Sequence, residues 1–288
     1  MAKYQVITGD CLAHLTSRSF SEMVDLTFLD PPFNQNKEYT FHNDNLALEE
    51  YWGLMRKVCQ KTFDITSDGG AIYFMQREKN TEGVLRCLRE TGWALQNLIV
   101  WKKKTSAVPV PSKFGKHYQI LAYATKGPKA RIFNRLRISP PLPPNYKIAR
   151  ENGVYVTDVW DDVRELTSGY FAGEEAIRND NGERFHKQQS PIALLTRIIL
   201  SSTKVGDFVF DPFSGTGTTL VTAYQLQRNS IGIEIDPRNS KMIRKRLHKI
   251  RRSDMVEKYY TGYFYTENLS QIWGAEIKAD MMKPTQSG

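Results

Sequence analysis

Cysteine is scarce in this chain, whose 288 residues include only Cys11, Cys59 and Cys87. The three are too few and too scattered for a disulfide framework, and no C-x-x-C pair offers a zinc site. None lies in a motif typical of a catalytic nucleophile. We therefore expect small buried residues in a reduced protein, and chemistry that needs neither a metal nor a covalent cysteine intermediate.

Long apolar runs are also missing. No stretch approaches the roughly 18 apolar residues of a membrane helix, and residues 1–5 contain no apolar signal segment. These absences predict a cytoplasmic protein that does not contact membranes.

Acidic charge is in deficit, because 40 lysines and arginines outweigh 31 aspartates and glutamates and give a formal charge of +9. A basic balance favours polyanionic partners such as nucleic acid. Since 40% of the residues are hydrophobic, the chain can bury a full core, as one large or two small domains.

The apolar patterns predict an α/β chain. The predicted strands span residues 4–8, 24–29, 71–75, 95–101, 118–124, 207–210 and 230–235. A predicted helix begins near Cys11, and others span residues 46–63, 81–91, 191–203, 220–227 and 238–252. Between about residues 128 and 185 the chain is interrupted by proline and glycine, with aromatic and basic residues interspersed. This region reads as a loop-rich insertion.

The most informative stretch is Asp30-Pro31-Pro32-Phe33, which follows the apolar strand 24–29. Proline cannot donate to a strand ladder and holds the preceding residue extended, so the strand ends here. Open α/β sheets bind ligands at the carboxyl ends of their strands. Asp30 and the Pro31 carbonyl can accept the two hydrogens of an exocyclic amine, and Phe33 can stack on a planar ring. These groups suit adenine or cytosine, although the four residues alone also fit an ordinary surface turn.

A second ligand-binding pattern lies in the last third of the chain. Residues 211–217 (Asp-Pro-Phe-Ser-Gly-Thr-Gly) join a strand to a helix, and Glu234 lies near the end of the next strand. The glycines let backbone approach a ligand, the helix N-terminus favours a negative group, and an acid about 20 residues on can hold a ribose diol. Because a Walker lysine and a third glycine are lacking, a ligand with a ribose and a carboxylate but no diphosphate fits best. Asp236 is the rival of Glu234 and can instead cap the helix that begins with Pro237.

The order of these two motifs resembles that of the permuted, β-class amino-methyltransferases of DNA, which transfer methyl from S-adenosyl-L-methionine to N6 of adenine or N4 of cytosine. Residues 30–33 are similar to their catalytic tetrapeptide, and residues 210–217 to their cofactor loop. Gly9-Asp10 is similar to the segment beside the cofactor's adenine, and residues 186–191 to the segment before the cofactor strand. Family members commonly have lysine before the proline of that last segment. Here it is Ser190, and Lys187 can supply the charge instead. The resemblance spans residues 4–252.

The resemblance implies a Rossmann-like, seven-stranded, mostly parallel α/β sheet with one antiparallel strand, in the circularly permuted methyltransferase fold. The β-α-β unit bearing Asp211 and Glu234 should lie beside the Asp30 strand. The implied organisation is a catalytic half (residues 1–127), a target-recognition region (128–185), a cofactor-binding half (186–252) and a C-terminal extension without an assigned role (253–288).

The implied activity is methylation of adenine N6 in double-stranded DNA whose target base is flipped out. Aspartate at the first tetrapeptide position is the usual adenine pattern, whereas cytosine-N4 enzymes often have serine there. Cytosine-N4 methylation is the alternative. More distant alternatives are an RNA or protein-glutamine methyltransferase and a nucleic-acid-binding module without catalysis. A homodimer and a cognate restriction endonuclease are compatible with the resemblance.

The candidate site residues fall into three groups. The catalytic candidates are Asp30, Pro31, Pro32 and Phe33. The candidates for binding S-adenosyl-L-methionine are Asp10, Cys11, Asp30, Lys187, Asp211, Phe213, Ser214, Gly215, Thr216, Gly217, Glu234 and Ile235. Because basic side chains neutralise phosphates, the DNA-binding candidates are Lys102, Lys103, Lys104, Lys113, Lys116, Arg131, Arg135 and Arg137.

Overall fold

The computed structural model describes residues 2–17, 23–37, 41, 43–105, 109, 111–140, 150–166, 173–186 and 188–275. The strands in these ranges are β1 (Tyr4–Thr8), β2 (Val24–Leu29), β3 (Thr66–Arg77), β4 (Trp93–Lys102), β5 (Tyr118–Lys126), β6 (Arg137–Ile138), β7 (Val154–Tyr155), β8 (Val159–Trp160), β9 (Phe208–Asp211) and β10 (Asn229–Glu234). The α-helices are α1 (Cys11–Ser17), α2 (Leu48–Ile65), α3 (Thr81–Glu90), α4 (Ile192–Ser202), α5 (Thr218–Gln225), α6 (Pro237–His248) and α7 (Leu269–Trp273). Within the same ranges, no helix has the length and apolar character needed to cross a membrane.

Eight strands form one sheet in the order β1-β10-β9-β2-β3-β5-β4-β8. Only β5 runs antiparallel to its neighbours among these pairings. The predicted mostly parallel sheet with one antiparallel strand is confirmed, and all seven predicted strands are present, but the sheet has eight strands and not seven. The short β8 extends the edge because Val159 and Trp160 pair with the end of β4.

Strand β9 lies between the two strands that matter most for the site. It pairs in parallel with β2 through Leu26 and Thr27 on one side, and with β10 on the other. Parallel strands end at the same edge of a sheet, so Asp30, Asp211 and Glu234 are carried to one place. The placement of the Asp30 strand beside the β-α-β unit is therefore confirmed.

The sheet is buried on both faces, as expected for parallel strands covered by helices. In β3, Ala71, Tyr73 and Met75 belong to one apolar cluster, whereas Ile72 and Phe74 belong to another. The first cluster includes residues of α4, α5 and α7, and the second includes residues of α2 and α3. This alternation with a period of two holds the sheet between two helical layers.

Two predicted boundaries were wrong. β3 begins at Thr66, directly after α2, and not after the residues Asp68-Gly69-Gly70. The strand accommodates these residues through a register irregularity opposite β2 and a positive φ of 71° at Gly69. The predicted basic helix 238–252 ends at His248. One of its arginines, Arg246, is buried and donates to Asp254 at 3.0 Å.

The described residues of the region 128–185 and of the segment 253–275 pack on the same sheet. Leu136 and Trp160 are buried in the first apolar cluster, as are Tyr260 and Trp273. Arg197 of α4, itself buried, donates to Asp162 at 2.8 Å. These contacts attach both segments to the core, while their separate functional roles stay predictions.

Candidate functional site

A cavity of about 430 Å³ lies at the carboxyl ends of β1, β2, β9 and β10. Small-molecule sites commonly have volumes of about 300–1,000 Å³. The proline turn and the glycine loop, far apart in the sequence, face this same space. The sequence-predicted residues that line it are Asp10, Cys11, Asp30, Pro31, Pro32, Asp211, Phe213, Ser214, Gly215, Thr216, Glu234 and Ile235.

Asp30 leaves the end of β2 and turns its carboxylate towards the segment before α4. Ser190 Oγ donates a hydrogen bond of 3.0 Å to Asp30 Oδ2. Burial raises the pKa of Asp30 to about 7, and the nearby Asp211 carboxylate contributes to that rise. The Ser190 hydrogen bond and the positive charges of Lys103 and Lys37 act in the opposite direction. Near neutral pH, Asp30 therefore exchanges between an acceptor-only carboxylate and a protonated acid.

Two successive hydrogen bonds, formed by buried side chains, hold the proline turn in place. Gln76 Nε2 donates to Tyr51 Oη at 2.8 Å, and that hydroxyl donates to the Pro32 carbonyl at 2.9 Å. Burial is the main reason that the pKa of Tyr51 lies far above its ordinary value, so the hydroxyl keeps its proton. These hydrogen bonds fix the turn in the position that Asp30 needs.

The structure corrects the expected role of Phe33. Its ring is 3% exposed, belongs to the first apolar cluster and is not part of the cavity lining. Burying an aromatic ring beneath the turn is favourable, and it leaves no free face for a base in this conformation. Phe41, in the polar stretch that follows the proline turn, lines the cavity instead and is 48% exposed. The sequence signal that could have identified Phe41 was an aromatic residue in a polar stretch without apolar periodicity.

The glycine loop is ordered by its own hydrogen bonds. Phe213 N donates to Asp211 Oδ1 at 3.0 Å, and Ser214 N donates to the Ile233 carbonyl at 3.0 Å. Burial raises the pKa of Asp211 to about 7. At Gly215 the backbone φ is +52° and an added Cβ would have no neighbour closer than 3.9 Å, so this backbone is open towards the cavity.

Gly217 has a different role from the one expected. It is absent from the cavity lining, and a Cβ added there would come within 2.7 Å of the Ile243 side chain. Its φ of +77° is also one that glycine adopts most readily. The second glycine of the pattern therefore lets α5 pack against α6.

Glu234 lies at the end of β10, and its carboxylate accepts three hydrogen bonds. Its Oε2 accepts from Gly215 N at 2.7 Å, and its Oε1 accepts from Asp236 N at 2.9 Å and Asn239 Nδ2 at 3.2 Å. Burial raises the pKa of Glu234, while these hydrogen bonds oppose that rise. Asp236 caps α6, because its Oδ1 accepts from Arg238 N at 2.8 Å.

The third wall of the cavity comes from the end of β1. Asp10 lines the cavity and also accepts from Ala13 N at 2.8 Å, so it caps α1 as well. Cys11 is buried, and this burial raises the pKa of its thiol to about 12. The thiol is therefore neutral and gives the wall an apolar character.

The cavity offers donors and acceptors that fit a nucleoside with an amino-acid tail. Asp10 and Glu234 provide acceptors for an amine and a diol, and Gly215 provides open backbone. Arg184 also lines the cavity, and its buried Nε and Nη2 have no hydrogen-bond partner among the residues described. Its Nη1 donates to the Leu166 carbonyl at 3.0 Å, and the two remaining nitrogens are donors that fit a carboxylate. Lys187, predicted for that contact, lies outside the described residues.

The lysines after β4 lie at the same edge of the sheet as the cavity, because β4 is parallel to β2. Lys102 and Lys104 are exposed, as are Lys113 and Lys116 further along the loop. Lys103 is partly buried, with its Nζ 5.8 Å from the centroid of the Trp101 ring, and burial lowers its pKa.

Arg131 lies elsewhere. Its guanidinium pairs with Asp25, at 3.1 Å, and with Asp207. Both carboxylates lie at the amino ends of their strands, the edge opposite the cavity. Arg131 therefore clamps β2 to β9, and its predicted role as a DNA contact is corrected. Arg135 and Arg137 lie over the Tyr155 ring, at 5.2 and 4.6 Å from its centroid.

Comparisons with known proteins agree with this geometry. A sequence model of a DNA methylase family matches residues 24–245. The chain is 28% identical over 225 residues to the type II methyltransferase M.HpaI of Haemophilus parainfluenzae, covering 78% of this chain and 68% of that protein. It is 27% identical over 267 residues to the type II methyltransferase M.HinfI of Haemophilus influenzae, covering 85% of this chain and 68% of that protein.

Solved structures share the fold. The M1.HpyAVI–SAM complex matches with a TM-score of 0.58 at 21% identity, over 85% of this chain and 98% of that one. A putative DNA modification methylase from Thermus thermophilus, complexed with S-adenosyl-L-methionine, matches with a TM-score of 0.57 at 20% identity, over 85% and 93%. The cytosine-N4-specific PvuII DNA methyltransferase matches with a TM-score of 0.61 at 17% identity, over 96% and 95%.

Proposed function

Because this chain belongs to the DNA methylase family whose sequence model spans residues 24–245, we propose that it transfers methyl from S-adenosyl-L-methionine to N6 of adenine in double-stranded DNA. One observation carries the proposal: Asp30, Gly215 and Glu234 line a single cavity. An amine held at the proline turn and a methyl donor held at the glycine loop would meet inside it.

The cofactor would be held by groups from three strand ends. Glu234 takes the ribose hydroxyls, Asp10 takes the adenine amine, and the backbone at Gly215 lies against the methionyl portion. Arg184 pairs with the carboxylate in place of the lysine that family members commonly have at position 190. When bound, S-adenosyl-L-methionine supplies an electrophilic methyl group on a sulfonium.

The target base would enter after leaving the duplex, since its amine cannot be reached inside the stack. Asp30 and the Pro31 carbonyl accept the two amine hydrogens, which draws the nitrogen lone pair out of conjugation and frees it as the nucleophile. Phe41 offers an exposed ring to the same cavity, and this ring lies 6.0 Å from the Arg238 guanidinium near the start of α6. After methylation the nitrogen carries a surplus proton, and the Asp30 carboxylate takes it. Positioning and electrostatics supply most of the rate enhancement.

Adenine is favoured by Asp30 at the first position of the tetrapeptide. Cytosine-N4 methylation is the second candidate, because the cytosine amine presents the same pair of hydrogens to the same two acceptors. An RNA or protein-glutamine methyltransferase usually has its cofactor motif N-terminal to the catalytic motif, the reverse of the order here, and a module without catalysis would leave the DNA unmethylated.

Analysis of methylated nucleosides tests the proposal. The purified protein is incubated with unmethylated genomic DNA and S-adenosyl-L-methionine, and the DNA is digested and examined by mass spectrometry. N6-methyladenine is expected. N4-methylcytosine alone would overturn the choice of base, and no methylated nucleoside would overturn the activity.

Asp30→Ala is the variant that tests the acceptor role directly. It removes an acceptor at the reacting nitrogen and should lower the rate by about 100-fold or more. Cofactor affinity, measured by calorimetry, should stay within about threefold because the cofactor's main partners are untouched. Sequencing of modified bases in a host that expresses the protein would give the recognition sequence.

The remaining partners are finer proposals. We propose a cognate restriction endonuclease and a homodimer, in a cytoplasmic setting. Resistance of the methylated DNA to one endonuclease from the same host, and the mass of the protein in solution, test the two partners separately.

A further inference from the structure

The segment between β4 and β5, described at residues 103–105, 109 and 111–117, begins and ends at the edge of the sheet that carries the cavity. Lys103 N donates to the His117 carbonyl at 2.8 Å, so the two limbs of the loop stay paired beyond the strands. Lys116 pairs with Glu78, directly after β3, at 3.5 Å. The second limb is thereby held at the same edge.

The first limb of the loop is anchored by Glu165. This buried carboxylate accepts from Lys104 N at 2.8 Å and Thr105 N at 2.9 Å, and from the Thr105 hydroxyl at 2.6 Å. Below these contacts, Trp101 Nε1 donates to the Val163 carbonyl at 2.8 Å. The base of the loop is therefore fixed on both limbs.

Phe114 lies on this loop, and its side chain is 100% exposed. An apolar ring left wholly in water is unfavourable and often marks a contact surface. Five lysines and no acidic residue occur between Lys102 and His117. That charge pattern matches a polyanion and argues against an ordinary apolar protein partner.

We propose that Phe114 inserts into the DNA duplex beside the target and fills the gap that the flipped base leaves. This inference rests on the proposed function, because only an enzyme that flips a base creates such a gap. Apolar side chains that wedge between base steps are a general means of deforming DNA, and a flat ring restores the stacking lost on both sides of the gap. The lysines around Phe114 hold the backbone while the ring enters.

Fluorescence of 2-aminopurine at the target position tests the proposal. The duplex carries the recognition sequence, and the fluorescence rises when the base leaves the stack. Phe114→Ala should bind this duplex about tenfold more weakly and flip a smaller fraction of it, in line with the effect of alanine substitutions at stacking residues. Phe114→Trp, which keeps a flat ring, should behave like the wild type.

A duplex with an abasic site opposite the target gives the decisive comparison. There the flipped state is already accessible, so the defect of Phe114→Ala should shrink to less than about threefold. Lys113→Ala is the control, and its defect should be the same on both duplexes because the contact proposed for this exposed lysine is with a phosphate. An equal defect of Phe114→Ala on both duplexes, or none on either, would overturn the inference while wild-type methylation still stands. A wild type that neither methylates nor flips would overturn the proposed function and this inference together.

Discussion

Ser190 Oγ lies 3.0 Å from Asp30 Oδ2 and donates a hydrogen bond to it. This contact joins the segment before α4 to the proline turn, at the position where family members commonly have lysine. It occupies one carboxylate oxygen and leaves the other for the amine of a base. It also favours the ionised form of a carboxyl whose pKa is raised to about 7, chiefly by burial.

The first prediction concerns the pH profile of Ser190→Ala. The carboxylate of Asp30 is the active form, so activity should fall as the pH drops through about 7. Loss of the hydroxyl raises the pKa of Asp30 further, so this limb should move to higher pH by about one unit or less. The measurement is kcat between about pH 5.5 and about pH 9 with saturating cofactor.

Ser190→Thr keeps the hydroxyl and should restore the wild-type limb. The groups facing Asp30 also include Asp211, which raises its pKa, and Lys103 and Lys37, which lower it. The acidic limb of the pH profile therefore reports the titration of Asp30 as it is coupled to these neighbouring charges. A uniform loss of activity at every pH, with the limb unmoved, would show that Ser190 serves only to maintain the structure.

The second prediction separates the two glycines of the cofactor loop. A methyl group at Gly215 meets no atom closer than 3.9 Å and enters the cavity, so Gly215→Ala should weaken cofactor binding roughly tenfold or more. Its cost in stability should be about 1 kcal/mol, because φ is positive. At Gly217 the added methyl clashes with Ile243 at 2.7 Å, so Gly217→Ala should lower the melting temperature of the cofactor-free protein instead.

Calorimetric titration and thermal unfolding measure the two effects. Combining Gly217→Ala with Ile243→Ala should cost less than the sum of the single changes, since alanine at position 243 lacks the two γ carbons that the added methyl meets at 2.7 Å. If Gly217→Ala weakened cofactor binding while leaving the melting temperature unchanged, our assignment of the two glycines would have to be reversed.

The third prediction contrasts Glu234 with Asp236. Three N–H donors converge on Glu234, so Glu234→Gln places an amide among them and should weaken cofactor binding about tenfold or more. Asp236→Ala removes the cap of α6 and should cost about 1 kcal/mol of stability. Calorimetry on both variants checks the assignment. A larger loss of affinity for Asp236→Ala than for Glu234→Gln would exchange their roles.

Local pattern was sufficient for most of the fold. The apolar runs predicted the seven main strands because all but the half-exposed edge strand β1 have buried residues, and the prolines after Asp30 marked the end of β2. The error at Thr66 has a physical cause, since β3 carries its two glycines inside the strand through a register irregularity. The order and type of the two motifs predicted that the proline turn and the glycine loop meet at one edge of the sheet.

Side-chain placement within the site was harder to predict. Nothing local distinguishes a phenylalanine that faces a ligand from one that packs beneath it. Phe33 was therefore expected at the cavity, whereas Phe41, which lines it, received no role. Similarly, Gly217 packs against Ile243, which lies far along the chain in the next helix, α6. Such contacts depend on how helices pack, which a residue pattern does not contain.

The fourth prediction distinguishes a structural arginine from a DNA-binding lysine. Arg131 bridges Asp25 and Asp207, and Arg131→Ala would leave two carboxylates facing each other at the starts of β2 and β9. We expect a loss of about 2 kcal/mol in stability, because one partner of a partly buried ion network has been removed.

Lys113→Ala should leave stability unchanged and reduce the slope of log K against log salt for duplex DNA by about one. Thermal unfolding and binding at several salt concentrations measure both. A reduced salt slope for Arg131→Ala, with unchanged stability, would return Arg131 to the DNA-binding surface, and this result would require the edge of the sheet opposite the cavity to contact the duplex.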